Sequence, residues 1–258
     1  MSLRRMWGIA LRHIFLTMHQ LERFADLFIF PIVGLLLWGF LSQSVAFASS
    51  NLAVFFIGGL ILWTMFERVG TGIGIDFMWD IWERNLMNVL ASPITLVEHI
   101  GGLVWVSIIK VIISIAAMWL IAALFYGFNL GSLGSSLVFL WANIVIFAVS
   151  LGIFNVALII RYGHILGPLT WIIPFAIQPF TAAFYPVSIF PPYVQKIVYF
   201  LPLVHVFEGM RYTLSTGKLD LVRLETAFVL NIFYFVLAIA FFSYMFSIVR
   251  KRGTVAKL

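Results

Sequence analysis

Three ionisable residues stand inside stretches otherwise too apolar to be solvated: Glu67 and Arg68 in one, Lys110 in the next. A charge at the centre of a bilayer costs roughly 2.5–3.5 kcal/mol on insertion scales, so such residues pair, snorkel to the head groups or line a polar path. Glu67 lies about eight residues from the end of its stretch and Lys110 about ten from its own, so at ~1.5 Å per residue their depths nearly match. A Glu67–Lys110 pair is therefore expected. The adjacent Glu67 and Arg68 point about 100° apart on a helix and do not face each other.

A second polar group is His205, Glu208 and Arg211, whose spacing puts all three on one side of a short helix, as a surface cluster or a structural one. Phe184, Tyr185 and Phe190, set among prolines, are the candidates for a gate of aromatic rings. Trp38, Trp63, Trp105, Trp119, Trp141 and Trp171 fall within apolar stretches, where they serve either as packing bulk or as stacking faces along a passage. The five histidines show no metal-ligand spacing, so no metal site is expected, and the absence of cysteine excludes disulfides and thiolate chemistry. No G-x-x-x-x-G-K-[ST] phosphate loop is present. Gly70-Thr-Gly-Ile-Gly74 lies inside an apolar stretch and reads as close helix packing through small residues.

These groups need lipid around them. Of 258 residues, 63% are hydrophobic and 10% charged, mean hydropathy is +1.08, and the run from Val111 to Ile160 carries no charge. Soluble domains carry about 25% charged residues. The net charge of +6 does not point to nucleic acid, because the basic residues cluster beside apolar segments at the two ends, where anionic lipid head groups are the expected partner. No cleavable signal peptide is recognised at the N-terminus.

A crossing helix needs about 20 apolar residues. Six runs qualify: 27–47, 52–75, 100–126, 137–160, 165–185 and 227–249, the third and fourth divided at the glycine- and serine-rich turn after Tyr126. The predicted fold is an all-α polytopic membrane protein, a single transmembrane domain over 1–258. Residues 3–22 form an amphipathic helix at the membrane surface, with apolar Leu3, Trp7, Ile9, Ala10, Ile14, Phe15 and Met18 at helical spacing. Lys and Arg favour placing both termini in the cytoplasm, although Lys196, Arg211, Lys218 and Arg223 break the pattern outside. Seven of nine prolines, Pro168, Pro174, Pro179, Pro186, Pro191, Pro192 and Pro202, crowd the region around the fifth span, so the outer segment 186–223 is expected to hold two short re-entrant or interfacial helices.

The connection 76–98 has apolar Met78, Ile81, Trp82, Leu86, Val89 and Leu90 at helical spacing and ends at Pro93. Periodicity fits equally a membrane-lying cap and a docking helix that carries force from a cytoplasmic partner.

Glu83-Arg84, Leu90-Ala-Ser-Pro93, Glu98 and Gly101 resemble the first cytoplasmic loop of ABC-2-type exporter permeases. Phe184-Tyr-Pro186, Pro191-Pro192 and Leu201-Pro-Leu-Val-His-Val-Phe-Glu-Gly-Met-Arg211 are similar to that family's connection before the last span. The resemblance implies an inner-membrane, multi-pass permease that pairs with a second copy, with ATP and Mg held by a separate ATPase subunit and no cofactor in this chain. It implies a coupling helix with Asp80, Trp82, Glu83, Arg84 and Met87 at the ATPase, and a drug, lipid or lipid-linked glycan as cargo. A secondary carrier or channel is the alternative, disfavoured because only one proline-broken region occurs and no internal repeat is evident. An intramembrane serine protease is weaker still, because Gly131-Ser and Gly134-Ser lie in a connecting loop.

Overall fold

A computed structural model describes residues 2–45 and 50–252. The end of the expected first span at Phe47 and the tail residue Lys257 lie outside it. Among the described residues the chain is all helical: α1 (Leu3–His19), α2 (Leu21–Val45), α3 (Ser50–Trp82), α4 (Leu86–Ala91), α5 (Leu96–Tyr126), α6 (Ser136–Tyr162), α7 (Leu169–Ile177), α8 (Pro192–Val198), α9 (Pro202–Thr216) and α10 (Leu221–Arg252). Five of them, α2, α3, α5, α6 and α10, are long and apolar enough to cross a membrane.

Over 165–185, where the sequence predicts a fifth span in a proline-rich region, the chain forms α7 and a 3-10 turn, Gln178–Phe180. Pro168 caps α7, Pro174 lies inside it, and Pro179 opens the turn, so backbone donors are missing at each step. In contrast α3 is longer than expected: nothing from Ser50 to Trp82 stops a helix, and the residues assigned by sequence to the start of a loop, Asp76 to Trp82, are its last two turns. That moves two carboxylates, Asp76 and Asp80, from a solvated connection onto the bundle.

Local chemistry sets the other ends. Thr95 and Glu98 form a capping box on α5, each side chain bonding the other's backbone N–H, and Gly127, at φ +62°, closes that helix in the left-handed region. Pro192 and Pro202 open α8 and α9, where a missing N–H is harmless.

The core lies on α3, which packs against α6, α5 and α2, while α10 packs on α6 and α9 and α1 packs along α5. Met6 of α1 and Arg250 and Lys251 of α10 border one cavity, so both ends of the described chain sit at one end of the bundle, termed here the inner end. The helix α1 buries Ile9, Ala10, His13 and Thr17 and turns Leu3, Trp7, Leu11, Phe15 and Met18 outward. It thus has two apolar faces, one covered by protein.

Small residues allow the closest approaches. A Cβ on Gly59 of α3 would strike the backbone carbonyl of Ala183 in the outer turn, whereas one on Gly8 meets nothing within 4 Å. Gly59→Ala should lower stability by about 1–3 kcal/mol through overpacking, and Gly8→Ala should be neutral or gain up to about 1 kcal/mol from helix propensity. Thermal unfolding of the two purified variants checks the contrast.

Candidate functional site

Asp76 and Asp80 on α3 and Glu83 in the turn that follows it recur at i, i+4 and i+7 and share a face, because the Glu83 N–H still donates to the Trp79 carbonyl at 2.9 Å. Cations from three other helices meet them. From α1, Arg12 lies 2.8 Å from Asp80 and 3.7 Å from Glu83, and His13 lies 3.2 Å from Asp80 and 3.7 Å from Asp76. From α2, Arg23 reaches Glu83 at 2.7 Å and lies over the Trp79 ring at 4.8 Å. From α5, His99 is 3.0 Å from Asp80, and the Lys110 ammonium donates to both Asp76 oxygens at 3.0 and 2.9 Å.

The expected Glu67–Lys110 pair does not form. Because α3 runs on past residue 75, it supplies Asp76, and the long lysine side chain takes that carboxylate. Arg68 instead pairs with Asp26 of α2 at 2.7 Å. His13 is fully buried. Burial alone would lower its pKa, but hydrogen bonds to Asp76 and Asp80 outweigh it and raise the value above the ordinary one.

The residues expected to dock an ATPase divide into two sets. Asp80 is buried with its carboxylate surrounded by Arg12, His13 and His99, so it positions the corner and offers no surface. Trp82, Glu83 and Arg84 are exposed at the end of α3, and Met87 lies on α4. Arg84 adopts φ +53° without being glycine, a left-handed conformation that costs roughly 1–2 kcal/mol and recurs at functional corners. It ends α3: the Asn85 N–H donates to the Asp80 carbonyl at 2.9 Å. The following helix has only six residues, shorter than the sequence periodicity predicted.

Beside this cluster, Asp26, Phe30 and Arg68 border two cavities, of about 260 and 770 Å³, that together make one groove. The smaller is walled by α2, α3 and α5 and reaches Trp82 and Lys110. The larger is walled by α2, α3 and α7, holds Trp38, Trp63, Glu67 and Arg68, and ends at Phe184 and Tyr185. All three intramembrane charges thus face the groove. Of the aromatic candidates, Trp105, Trp119 and Trp141 lie on helices α5 and α6 and border neither of the two cavities.

At the outer end, Phe184 packs on Phe56 of α3 at 5.2 Å and Tyr185 meets Phe190 edge-on at 5.5 Å. The Tyr185 hydroxyl donates to the Pro179 carbonyl. The polar cluster is only partly assembled: Arg211 pairs with Glu208 at 2.9 Å, but His205 turns away to the Tyr199 carbonyl at 2.8 Å. Burial lowers the His205 pKa, partly offset by that bond. Glu208 accepts from the Val187 N–H at 2.9 Å, and Arg211 donates to the Ala182 carbonyl at 2.6 Å. Ala182 itself has φ +55°, so the pair holds a strained turn beside Phe184 and Tyr185.

Sequence reasoning missed Arg12, His13, Arg23, Asp26, Asp76 and His99. The i, i+4, i+7 carboxylates were a usable signal, but nothing local named their partners.

The family model described as ABC-2 type transporter matches residues 10–215. The capsule polysaccharide export inner-membrane protein CtrC of Neisseria meningitidis serogroup B (strain ATCC BAA-335 / MC58) is 25% identical over 222 residues, covering 81% of this chain and 78% of that protein.

Two outcomes test the ion cluster. A histidine with a raised pKa stabilises fully below its ordinary value of about 6.5, and the contribution fades as pH rises through the raised value. Thermal stability should therefore fall as pH rises from about 6 upward, and His13→Gln should flatten that fall. Separately, Lys110→Met should cost about 3–5 kcal/mol by leaving Asp76 short of a cation, and adding Asp76→Asn should recover much of the loss. Unfolding curves of the single and double variants read both terms.

Proposed function

The chain belongs to the ABC-2 type transporter family, and on that premise we propose that it is the permease subunit of an ATP-driven exporter, working as a homodimer with a separate ATPase. The family is one of transport membrane subunits, and hydrolysis of ATP with its Mg belongs to the partner. The observation that carries the proposal is the groove between α2, α3 and α7, which extends from the Trp82 corner to the Tyr185 gate. Paired copies facing each other across those helices enclose a path.

Six crossings are part of the proposal. Thr170 lies against Gly74 and the Ala183 carbonyl against Gly59 of α3, and those glycines are 15 residues, or about 22 Å, apart along the helix. The segment containing α7 thus climbs most of the bilayer beside α3, and a return through it brings both chain ends to the inner side. With Arg4, Arg12 and Arg250 at that side, both termini are cytoplasmic in an inner membrane. The outward apolar stripe of α1 lies in the lipid interface, and α8 and α9 are the two short outer helices.

For cargo, we favour a polysaccharide carried on a lipid anchor. The meningococcal relative's printed name concerns capsule polysaccharide export. Aromatic faces at Trp38 and Trp63 stack on sugar rings without binding any one tightly, and Arg68 offers a charge to an anionic chain.

Docking is placed on Trp82, Glu83, Arg84 and Met87. Arg84→Gly removes the charge while suiting the left-handed backbone, so it should leave the permease folded and reduce the ATPase recovered with it several-fold. Pull-down from membranes measures this. A permease purified alone that still exports at full rate with no ATPase would overturn the proposal.

A further inference from the structure

A separate cavity of about 750 Å³ shares no residue with the groove. It exists because two close contacts pull its walls apart. Gly101 and Gly102 of α5 seat Met6 and Ile9 of α1, where any Cβ would collide, while α10 leans on α6 and α9. Between α5 and α10 a slot remains, floored by Val149 and Ile153 of α6.

The face that α10 turns to this slot is Phe235, Ile239, Phe242 and Phe246, spaced as one helical stripe. Phe242 and Phe246 stack with planes 7° apart. Phe235, Phe242 and Phe246 are half-buried with one edge packed on the core, and Ile239 between them is 44% exposed. At the inner end the lining changes character: Ser243, Ser247, Arg250 and Lys251 close it. Among the described residues, neither Arg250 nor Lys251 forms an ion pair, unlike Arg12, Arg23, Arg68 and Lys110.

Length makes the match specific. Phe235 to Arg250 spans 15 residues, or about 22 Å of helix, and one bilayer leaflet with its head groups is about 20–22 Å deep. An apolar slot one leaflet deep, closed by two unpaired cations at head-group level, has the polarity of one phospholipid. Basic pockets between membrane helices bind anionic head groups in this way.

We propose that the slot is a binding site for an anionic phospholipid of the leaflet on the α1 side. One acyl chain lies along Phe235, Ile239, Phe242 and Trp105, and the phosphate is held by Arg250 and Lys251. The lipid fills the wedge between the α1–α5 pair and the α6–α10 pair, next to Met6 and hence to the helix that carries Arg12 and His13. It is a resident of the protein's flank, distinct from cargo in the groove, and its test does not depend on transport.

Native mass spectrometry of the purified permease, with the subunits that accompany it, reads the site directly after delipidation and addition of phosphatidylglycerol or phosphatidylcholine. The wild type should retain phosphatidylglycerol over phosphatidylcholine by on the order of tenfold, given two cations at the head-group level. Arg250→Gln with Lys251→Gln should abolish the preference, and Ser243→Phe, which fills the slot from an exposed position, should reduce retention of both lipids. Thermal unfolding verifies that each variant is folded. Equal retention of the two lipids by the wild type overturns the proposal, as does a preference that survives loss of both cations. Because the chain has no cysteine, Ile239→Cys gives a clean control: disulfide-linked dimers in membranes would make the slot an interface between copies and overturn the lipid assignment, whereas a monomeric band supports it.

Discussion

The row of carboxylates at the inner end of α3 is the constraint on which the rest of the structure depends. Asp76 and Asp80 are almost fully buried, and a buried carboxylate persists only when cations and hydrogen-bond donors surround it. The basic groups that satisfy this need come from three other helices. Arg12 and His13 fix α1 against α3, Arg23 fixes the start of α2, and His99 and Lys110 fix the first half of α5. Electrostatics thus ties four helices together where apolar packing alone would not distinguish protein from lipid, since lipid tails offer the same apolar surroundings as leucine.

The outer end is organised differently, with one pair in place of a cluster. Glu208 and Arg211 lie one turn apart on α9 and reach across to the backbone of Val187 and Ala182. Their bonds are to backbone groups that proline and a positive φ leave without helical partners, which is how irregular chain at membrane depth remains tolerable. Phe184 and Tyr185 sit on this turn, so their orientation follows from α9 and from the close approach of Gly59 to Ala183. Rings carried on such a turn move only if α3 or α9 moves.

The crossings were legible in the sequence because the bilayer imposes a length and a polarity that each span must meet alone. For α5, α6 and α10 the apolar runs fall within a few residues of the helices, and for α1 the 3.6-residue period was sufficient. Legibility failed where a residue's state depends on something distant in the chain. Asp76 and Asp80 read as loop residues in the sequence because partners that bury them are distant in the chain, 67 residues from His13 to Asp80 and 34 from Asp76 to Lys110. Lys110 pairs with Asp76 and not with Glu67, since depth along one helix fixes neither the tilt of its neighbour nor the reach of a lysine. His205 shared a helical face with Glu208 and Arg211, yet a carbonyl beyond the helix start took its ring. The prolines announced a break after the fourth span without fixing where the turns would fall.

A single rod links the two ends. The helix α3 spans 33 residues, about 50 Å at 1.5 Å per residue, from the outer turn beside Gly59 to the corner at Arg84. Its inner end cannot shift alone, because the carboxylates would lose Arg12, His13, Arg23, His99 and Lys110 together, at several kcal/mol for each stranded charge. Displacement at the corner therefore carries α1, α2 and the base of α5 as one body. At the other end the rod meets Ala183 by a contact that leaves no room for a methyl group, so the outer turn must follow. Between the two ends, Glu67 and Arg68 ride on α3 facing α2, where the Arg68–Asp26 pair is the one ion pair among the described residues lining the larger cavity. Asp26 is half exposed, and a partly solvated pair is weak compared with the inner cluster. The helices are held firmly at the inner end and loosely along the groove, which places the compliance of the fold between α2 and α3.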